Sequence, residues 1–452
     1  MLKDVYFLGI GGIGMSAIAR YYNHAGYNVA GYDRTPSRIT DALESEGIKV
    51  HFTEKMNEIP EDIATTLVIY TPAIPHDNKE LEYVIEKGYR LIKRSKALGE
   101  IAKNQKCLAI SGTHGKTSTS TLLAHILTDS GEGCNAFLGG ISKNYHTNLL
   151  LSKNNVLVAE ADEFDRSFLQ LSPQIAVVTA ADADHLDIYK DVSHVREAFC
   201  DFASQVSDFL LIKKGINLNI PHKDGRTVYE YSFDSECDFY AADLVLLEGG
   251  YFDFSIVSPW RKIEHCRVGV PGWVNVENAV AAGAVALLHG LSDEQIRHGL
   301  KSFKGVERRF DIHINTKKCI YIDDYAHHPN EISASISSIR GMFPGRKICG
   351  IFQPHLFTRT QSFYKDFAKS LSSLDEVLIL PIYPAREEPI KGVTSELIFD
   401  LVSCKKELIK KDELMNKINN KDIDILVSFG AGDIDRFINP ITELLRKKYI
   451  ND

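Results

Sequence analysis

The stretch Cys107-Leu-Ala-Ile-Ser-Gly-Thr-His-Gly-Lys-Thr-Ser-Thr119 constrains this chain more than any other. Residues 107–110 form an apolar run that predicts a buried strand, and 118–127 carries apolar residues at helical spacing. Between them, Gly112 and Gly115 permit a tight turn that brings the backbone close to a ligand. A strand, a glycine-bearing turn and Lys116-Thr117 at the head of a helix form the layout of a phosphate-binding loop. There, backbone N–H groups and the helix N-terminus face the anion. The Lys116 ammonium reaches the outer phosphates, and the Thr117 hydroxyl suits Mg²⁺. Ile110 stands where the full motif has glycine, so this is a shortened variant. An ordinary strand-to-helix turn is the competing reading; the flanking strand and helix favour the phosphate loop.

Upstream, the run from Val5 to Gly14 reads as a strand entering a glycine turn, followed by an amphipathic helix over 15–25. Gly9, Gly11 and Gly14 fit G-x-G-x-x-G, and Asp33 follows the strand Asn28–Tyr32. Alone this is a dinucleotide fingerprint, with NAD as the default ligand. The same loop accepts any pyrophosphate, and a second nucleotide loop downstream favours a nucleotide-linked substrate. A strand at 67–71, the helix Lys79–Lys87 and the segment 91–104 complete an α/β domain ending near residue 104.

Past the phosphate loop, the glycine-rich run 136–148 predicts a substrate-facing loop. A strand at 156–159 delivers Glu160-Ala-Asp-Glu-Phe-Asp165, four carboxylates in six residues. Such a cluster at a strand's carboxyl end repels itself, stays solvated or holds a cation; behind a phosphate loop the cation is favoured. A strand at 175–179 delivers Asp182-Ala-Asp184-His185-Leu-Asp187, suited to a metal or a general base. Residues 208–270 read as short antiparallel strands without legible chemistry, followed by helices at 276–289 and 293–303. At the junction, Arg308 and Arg309 belong either to a solvated linker or to a clamp on a transferring phosphoryl group. A third α/β pattern follows. Strands at 319–322, 347–352, 376–380 and Ile425–Phe429 each end in a polar, charged or glycine-rich loop, which is where open parallel sheets bind ligands.

Composition sets outer bounds. A chain of 452 residues, 44% hydrophobic and 25% charged, is expected to hold two to four soluble domains. Its net charge of −8 lacks the basic stripe of a nucleic-acid binder. No apolar run is long enough to span a membrane, and the strand near Met1 leaves no room for a signal peptide. The eight cysteines are scattered without a C-x-x-C pair, which predicts reduced thiols in a cytoplasmic protein.

Taken in order, these motifs resemble the Mur ligase family over the whole chain. The resemblance rests on Gly-Ile-Gly-Gly-Ile-Gly-Met-Ser16, Gly-Thr-His-Gly-Lys-Thr117, Glu-Ala-Asp-Glu163, Asp184-His185, Arg308-Arg309-Phe310, Asp-Asp-Tyr-Ala-His-His-Pro329 and Gln-Pro-His355. It implies an α/β protein of three domains. A Rossmann-like N-terminal domain (1–104) would bind a UDP-linked substrate, a P-loop ATPase-like central domain (105–304) would bind ATP, and a Rossmann-like C-terminal domain (305–452) would bind the amino acid. Within the family the motifs are most like those of the enzyme that joins L-alanine to UDP-N-acetylmuramate in cell-wall synthesis, through an acyl phosphate. That places the chain in the cytoplasm, with ties to cell shape and division and with a monomer or dimer as its assembly.

The resemblance also implies residue roles. Gly112, Thr113, His114, Gly115, Lys116, Thr117 and Ser118 would bind ATP, with Asn275 and Asn278 on the adenine side and Asp323 near the ribose. Thr117, Glu160 and His185 would hold Mg²⁺. Lys116, His185, Arg308, Arg309 and His327 would serve catalysis. Gly11, Gly12, Ile13, Gly14 and Asp33 would hold the sugar nucleotide, and Tyr325, His327, His355 and Arg359 the alanine and acyl-phosphate end. Short linkers at 103–106 and 304–306 are expected hinges. Ala180, Val274 and Leu356 depart from the family's usual asparagine, histidine and arginine, and the region 196–199 lacks the lysine that sister ligases carbamylate. Alternatives are the family's tripeptide-recycling ligase, an NAD-dependent oxidoreductase and a non-catalytic UDP-sugar sensor.

Overall fold

The computed structural model describes residues 2–182, 192–385 and 387–450. Three sheets organise it. The first has five parallel strands in the order Lys49–His51, Asn28–Tyr32, Asp4–Leu8, Thr66–Tyr70, Arg90–Lys93. Asp4–Leu8 takes the centre because Val5, Tyr6, Phe7 and Leu8 are all buried, as a strand covered on both faces requires.

In the second sheet, the strand Lys106–Ser111 lies between Ile175–Val178 and Val156–Ala161, parallel to both. The phosphate loop, Thr179 and Asp162 therefore leave the sheet at one edge. Asn135–Ser142 and Thr147–Leu150 extend this sheet on one side; Phe209–Lys213, Thr227–Ser232, Phe239–Leu246, Phe252–Val257 and Lys262–Arg267 extend it on the other. The expectation of antiparallel pairing over 208–270 is corrected for 209–240. Phe209 pairs parallel with Ile175 and with Thr227, and Tyr231 pairs parallel with Phe239. A parallel pair needs a returning connection. Residues 214–226 supply one as a loop, pinned where Arg226 donates to the carbonyls of Ala203 (2.7 Å) and Pro221.

The third sheet places Asp311–Asn315 antiparallel at its edge beside Ile320–Asp324. Ile425–Phe429, Ile348–Phe352, Glu376–Ile379 and Lys405–Leu408 follow, all parallel.

By compactness the chain forms two units. The first holds residues 1–244, 254–269 and 276–304; the second holds 245–253, 270–275 and 305–452. Within the first unit, one apolar core runs from Val5, Phe7 and Ile18 to Phe137, Leu157 and Phe202. Buried Asn148 accepts from Arg20 Nη1 (2.5 Å) and donates to Ile13 O (2.6 Å) and Ser16 Oγ (3.0 Å). The expected hinge at 103–106 thus falls inside a unit with a continuous core. No helix among the described residues is long and apolar enough to cross a membrane.

Candidate active site

Sterics fix the phosphate loop. Gly112 has φ +136°, and a Cβ there would lie 2.1 Å from Thr179 Oγ1 and 2.7 Å from Ala180 N, so the position requires glycine. Thr113 N donates to Ala180 O (3.1 Å), and Thr179 Oγ1 donates to the carbonyls of Ser111 (3.1 Å) and His114. Ala180 supports the loop through its backbone, a role that does not need the family's asparagine side chain. His114 Nε2 lies 3.4 Å from Asp182 Oδ2. Gly115 caps the helix Lys116–Asp129, whose first turn carries Thr117 and Ser118.

Lys116 Nζ donates to Gly112 O (2.6 Å) and to both oxygens of Glu163 (2.7 and 3.0 Å). The Glu163 side chain is 1% exposed. Burial works against the ammonium, but the charges of Glu163, Asp162 and Glu160 outweigh it and raise the lysine's pKa. Thr117 Oγ1 donates to Glu160 Oε1 (3.0 Å), and Glu160 Oε2 accepts from Gly139 N (3.0 Å).

The four clustered carboxylates do not converge. Glu163 takes Lys116, Glu160 takes Thr117, Asp162 faces Arg94 at 3.5 Å, and Asp165 pairs with Lys93 at 2.8 Å. Among the described residues, no group of three or more His, Cys, Asp or Glu side chains is arranged to hold a metal. Thr117 and Glu160 do bring a hydroxyl and a carboxylate together, a pair of hard oxygen donors that fits Mg²⁺. Asp184 and His185 lie outside the described residues.

Asn278 is 7% exposed and accepts from Thr119 Oγ1 (3.1 Å). A Cβ on Gly115 would meet its Oδ1 at 3.4 Å. Asn278 thus touches the phosphate-loop helix directly. Asn275 Nδ2 donates to Pro271 O (2.7 Å).

At the N-terminal glycine turn, Tyr32 O accepts from Gly9 N (2.8 Å) and Ile10 N (3.0 Å). Asp33 accepts from Gly11 N (2.8 Å) and Thr35 N (3.1 Å), so its carboxylate shapes the loop itself. Gly12 then leads into the helix Ile13–His24 with no side-chain cap, which leaves the helix's first N–H groups to a ligand or solvent.

In the second unit, Asp323 is engaged by its own domain. It is 0% exposed and accepts from Arg308 Nε (3.2 Å) and Ser428 Oγ (2.6 Å). Burial raises its pKa while Arg308 pulls it back. Arg308 also donates to Gly430 O (2.6 Å), an anchorage that fixes its guanidinium within 5.2 Å of the Tyr325 ring centre. The Arg309 guanidinium lies 4.8 Å from the same ring.

The backbone N–H of His327 donates to Glu331 Oε2 (2.9 Å), and its Nδ1 lies 3.0 Å from Tyr325 O. The His327 and His355 ring centres are 6.0 Å apart, His355 stacks on Tyr383, and Arg359 Nη1 is 3.4 Å from His355 Nδ1. Tyr325, His327, His355 and Arg359 are thus brought together beyond the ends of Ile320–Asp324 and Ile348–Phe352, the two strands that flank Ile425–Phe429. Leu356 sits at φ +70°, ψ 137°, a conformation costly for a side-chain-bearing residue, while its carbonyl accepts from Thr360 N and Oγ1.

Two groups escaped the sequence reading. Glu163 belonged to a motif assigned to metal, yet it pairs with the loop lysine. Buried Gln353 holds Asp433 (2.7 Å) and Ile434 N (3.0 Å), with Lys411 on the same Asp433 (2.7 Å). Gln353 precedes the Pro-His of a quoted motif, so the signal was present without a partner to read it against.

Comparison with known proteins matches three family models along the chain: "Mur ligase family, catalytic domain" at residues 4–106, "Mur ligase middle domain" at 110–286, and "Mur ligase, glutamate ligase domain" at 308–432. The chain is 50% identical over 455 residues to a UDP-N-acetylmuramate–L-alanine ligase of Phocaeicola vulgatus, with 99% of each chain covered. The crystal structure of a UDP-N-acetylmuramate-alanine ligase from Thermotoga maritima superposes with TM-score 0.84 at 26% identity, covering 98% of this chain and 99% of that one. A murein peptide ligase from Psychrobacter arcticus shares the fold at TM-score 0.70 and 20% identity, with 98% of each chain covered.

Proposed function

The chain belongs to the Mur ligase family, and we propose from that premise that it joins L-alanine to the lactyl carboxylate of UDP-N-acetylmuramate at the expense of ATP, in the cytoplasm. The observation that carries the site assignment is Lys116, held on the phosphate loop in a pocket of carboxylates. In this reading residues 1–104 hold the UDP end, 105–304 hold ATP and 305–452 supply the amino-acid end.

The lactyl carboxylate attacks the γ-phosphate of ATP, which releases ADP and leaves an acyl phosphate. The amine of L-alanine then adds to the acyl carbon, and the tetrahedral intermediate collapses with loss of phosphate and a proton. Phosphoryl transfer between two anions needs positive charge around the transferring group. Lys116 supplies it by turning from Glu163 to the phosphates. Thr117 and Glu160 would hold Mg²⁺, with His185 as the expected further ligand; the ion would neutralise phosphate charge. Arg308, fixed by Asp323, positions the segment that carries Arg309, and Arg309 would meet the phosphoryl group. Arg359 would bind the alanine carboxylate beside His355 and Tyr325. His327, held neutral by burial, lines that pocket without adding charge.

The test is phosphate release by the purified chain with ATP, Mg²⁺ and UDP-N-acetylmuramate against a panel of amino acids and the ready-made cell-wall tripeptide. L-Alanine should stimulate release most. Stimulation by the tripeptide alone would make the chain the recycling ligase, and tight NADH binding without phosphate release would make it an oxidoreductase.

A further inference from the structure

The third glycine of the N-terminal turn makes room for a guanidinium. A Cβ on Gly14 would lie 3.0 Å from Arg94 Nη1 and 3.2 Å from Arg94 Cδ. Gly14 is the second residue of the helix Ile13–His24, whose first turn carries no acidic side chain. Arg94 opens the helix Arg94–Ala102 directly after the strand Arg90–Lys93, at the carboxyl edge where a parallel sheet binds its ligands. Two positive features therefore meet at one point: the amino end of one helix and a guanidinium delivered by another.

Within the described residues, the carboxylate facing Arg94 is Asp162, at 3.5 Å; the two side chains are 19% and 34% exposed. One contact of that length uses little of a five-donor planar fork. That contact uses Nη2, while Nη1 stands beside Gly14.

We propose that Arg94 is a binding residue for the pyrophosphate of the UDP-sugar, shared with the amino end of the helix Ile13–His24. The proposal rests on reading the glycine turn as the UDP-sugar site. It gives Gly14 a stated purpose: a side chain there crowds the guanidinium. The lactyl carboxylate is a second oxyanion on the same substrate, but contact with Gly14 ties Arg94 to the turn and so to the pyrophosphate.

Calorimetry on the full chain separates these. UDP carries the pyrophosphate without the carboxylate, and UDP-N-acetylmuramate carries both. Arg94→Ala should weaken both by roughly ten- to a hundredfold, the usual range for a charge-assisted hydrogen bond. Arg94→Lys should recover only part of that loss. Gly14→Ala leaves the charge in place and makes the guanidinium give by a few tenths of an ångström, so it should weaken both by a smaller factor than Arg94→Ala. Binding of a non-hydrolysable ATP analogue should stay within about threefold in all three variants, against the full loss expected for the sugar nucleotide. Unchanged UDP binding in Arg94→Ala would overturn the proposal, as would a loss confined to UDP-N-acetylmuramate or an equal loss of the ATP analogue. Failure of the unsubstituted chain to bind UDP-N-acetylmuramate would instead overturn the reading of the glycine turn.

Discussion

At the scale of single residues, the Lys116–Glu163 pair says how the site waits for its substrate. A buried ammonium without a counter-charge is costly, and removing one partner of such a pair typically costs about 3–5 kcal/mol. Glu163 provides that counter-charge when no phosphate does. Glu163→Gln should therefore lower the melting temperature of the nucleotide-free chain, and a non-hydrolysable ATP analogue should restore most of the loss because its phosphates replace the missing charge. Thermal melts with and without the analogue check this; an equal nucleotide-induced shift in both proteins would mean Lys116 keeps Glu163 throughout. Lys116 could be singled out in the sequence because its proposed role follows from its immediate neighbours. Glu163 was not, since its pairing depends on two strands lying side by side. Asp323 and Asp324 show the same limit. Both end a strand buried on both faces, so alternation along it did not reveal that Asp323 turns inward to Arg308.

At the scale of elements, loops at the carboxyl ends of parallel strands carry nearly every functional group, and that pattern was readable from glycine, proline and charge. Pairing direction over 209–240 was not. Alternating side chains look alike in parallel and antiparallel strands, and the deciding feature was the loop at 214–226 pinned by Arg226. The segment after Ile320–Asp324 also has a pH signature. Burial pushes the His327 imidazole down to about 4; Glu331 opposes this, while Arg359 and Arg309 add to it. The unfolded imidazole titrates near 6.5. Between these values the folded chain binds fewer protons, so this contribution to stability is present above pH 6.5 and is lost as pH falls toward 4. Asp324, lifted by burial to about 6, contributes with the opposite sign, its stabilisation fading as pH rises through that value. His327→Gln removes only the first contribution, worth up to roughly 3 kcal/mol. Its melting temperature should fall less than that of the unsubstituted chain between pH 6.5 and 4. Parallel pH profiles would contradict that assignment.

At the scale of the whole molecule, the three-sheet architecture was legible because each sheet repeats a strand–loop–helix pattern. The division into compact units was less so. Residues 245–253 and 270–275 belong with the C-terminal unit, so the chain passes between units more than once and not through a single linker. At 302–304 the first unit ends firmly: Asn144 donates to Ser302 O (3.0 Å) and accepts from Lys304 N (2.8 Å), ahead of Gly305 at φ +92°. Sequence patterns locate sheets but do not show which distant segments share a core. In the proposed reaction this architecture activates a carboxylate as an acyl phosphate before the amine attacks. Labelling the lactyl carboxylate of UDP-N-acetylmuramate with ¹⁸O, then running the reaction with ATP and L-alanine, tests that chemistry most directly. The account predicts that each phosphate released carries a single labelled oxygen taken from the carboxylate, in step with peptide formation; phosphate without label, while the peptide forms, would contradict it.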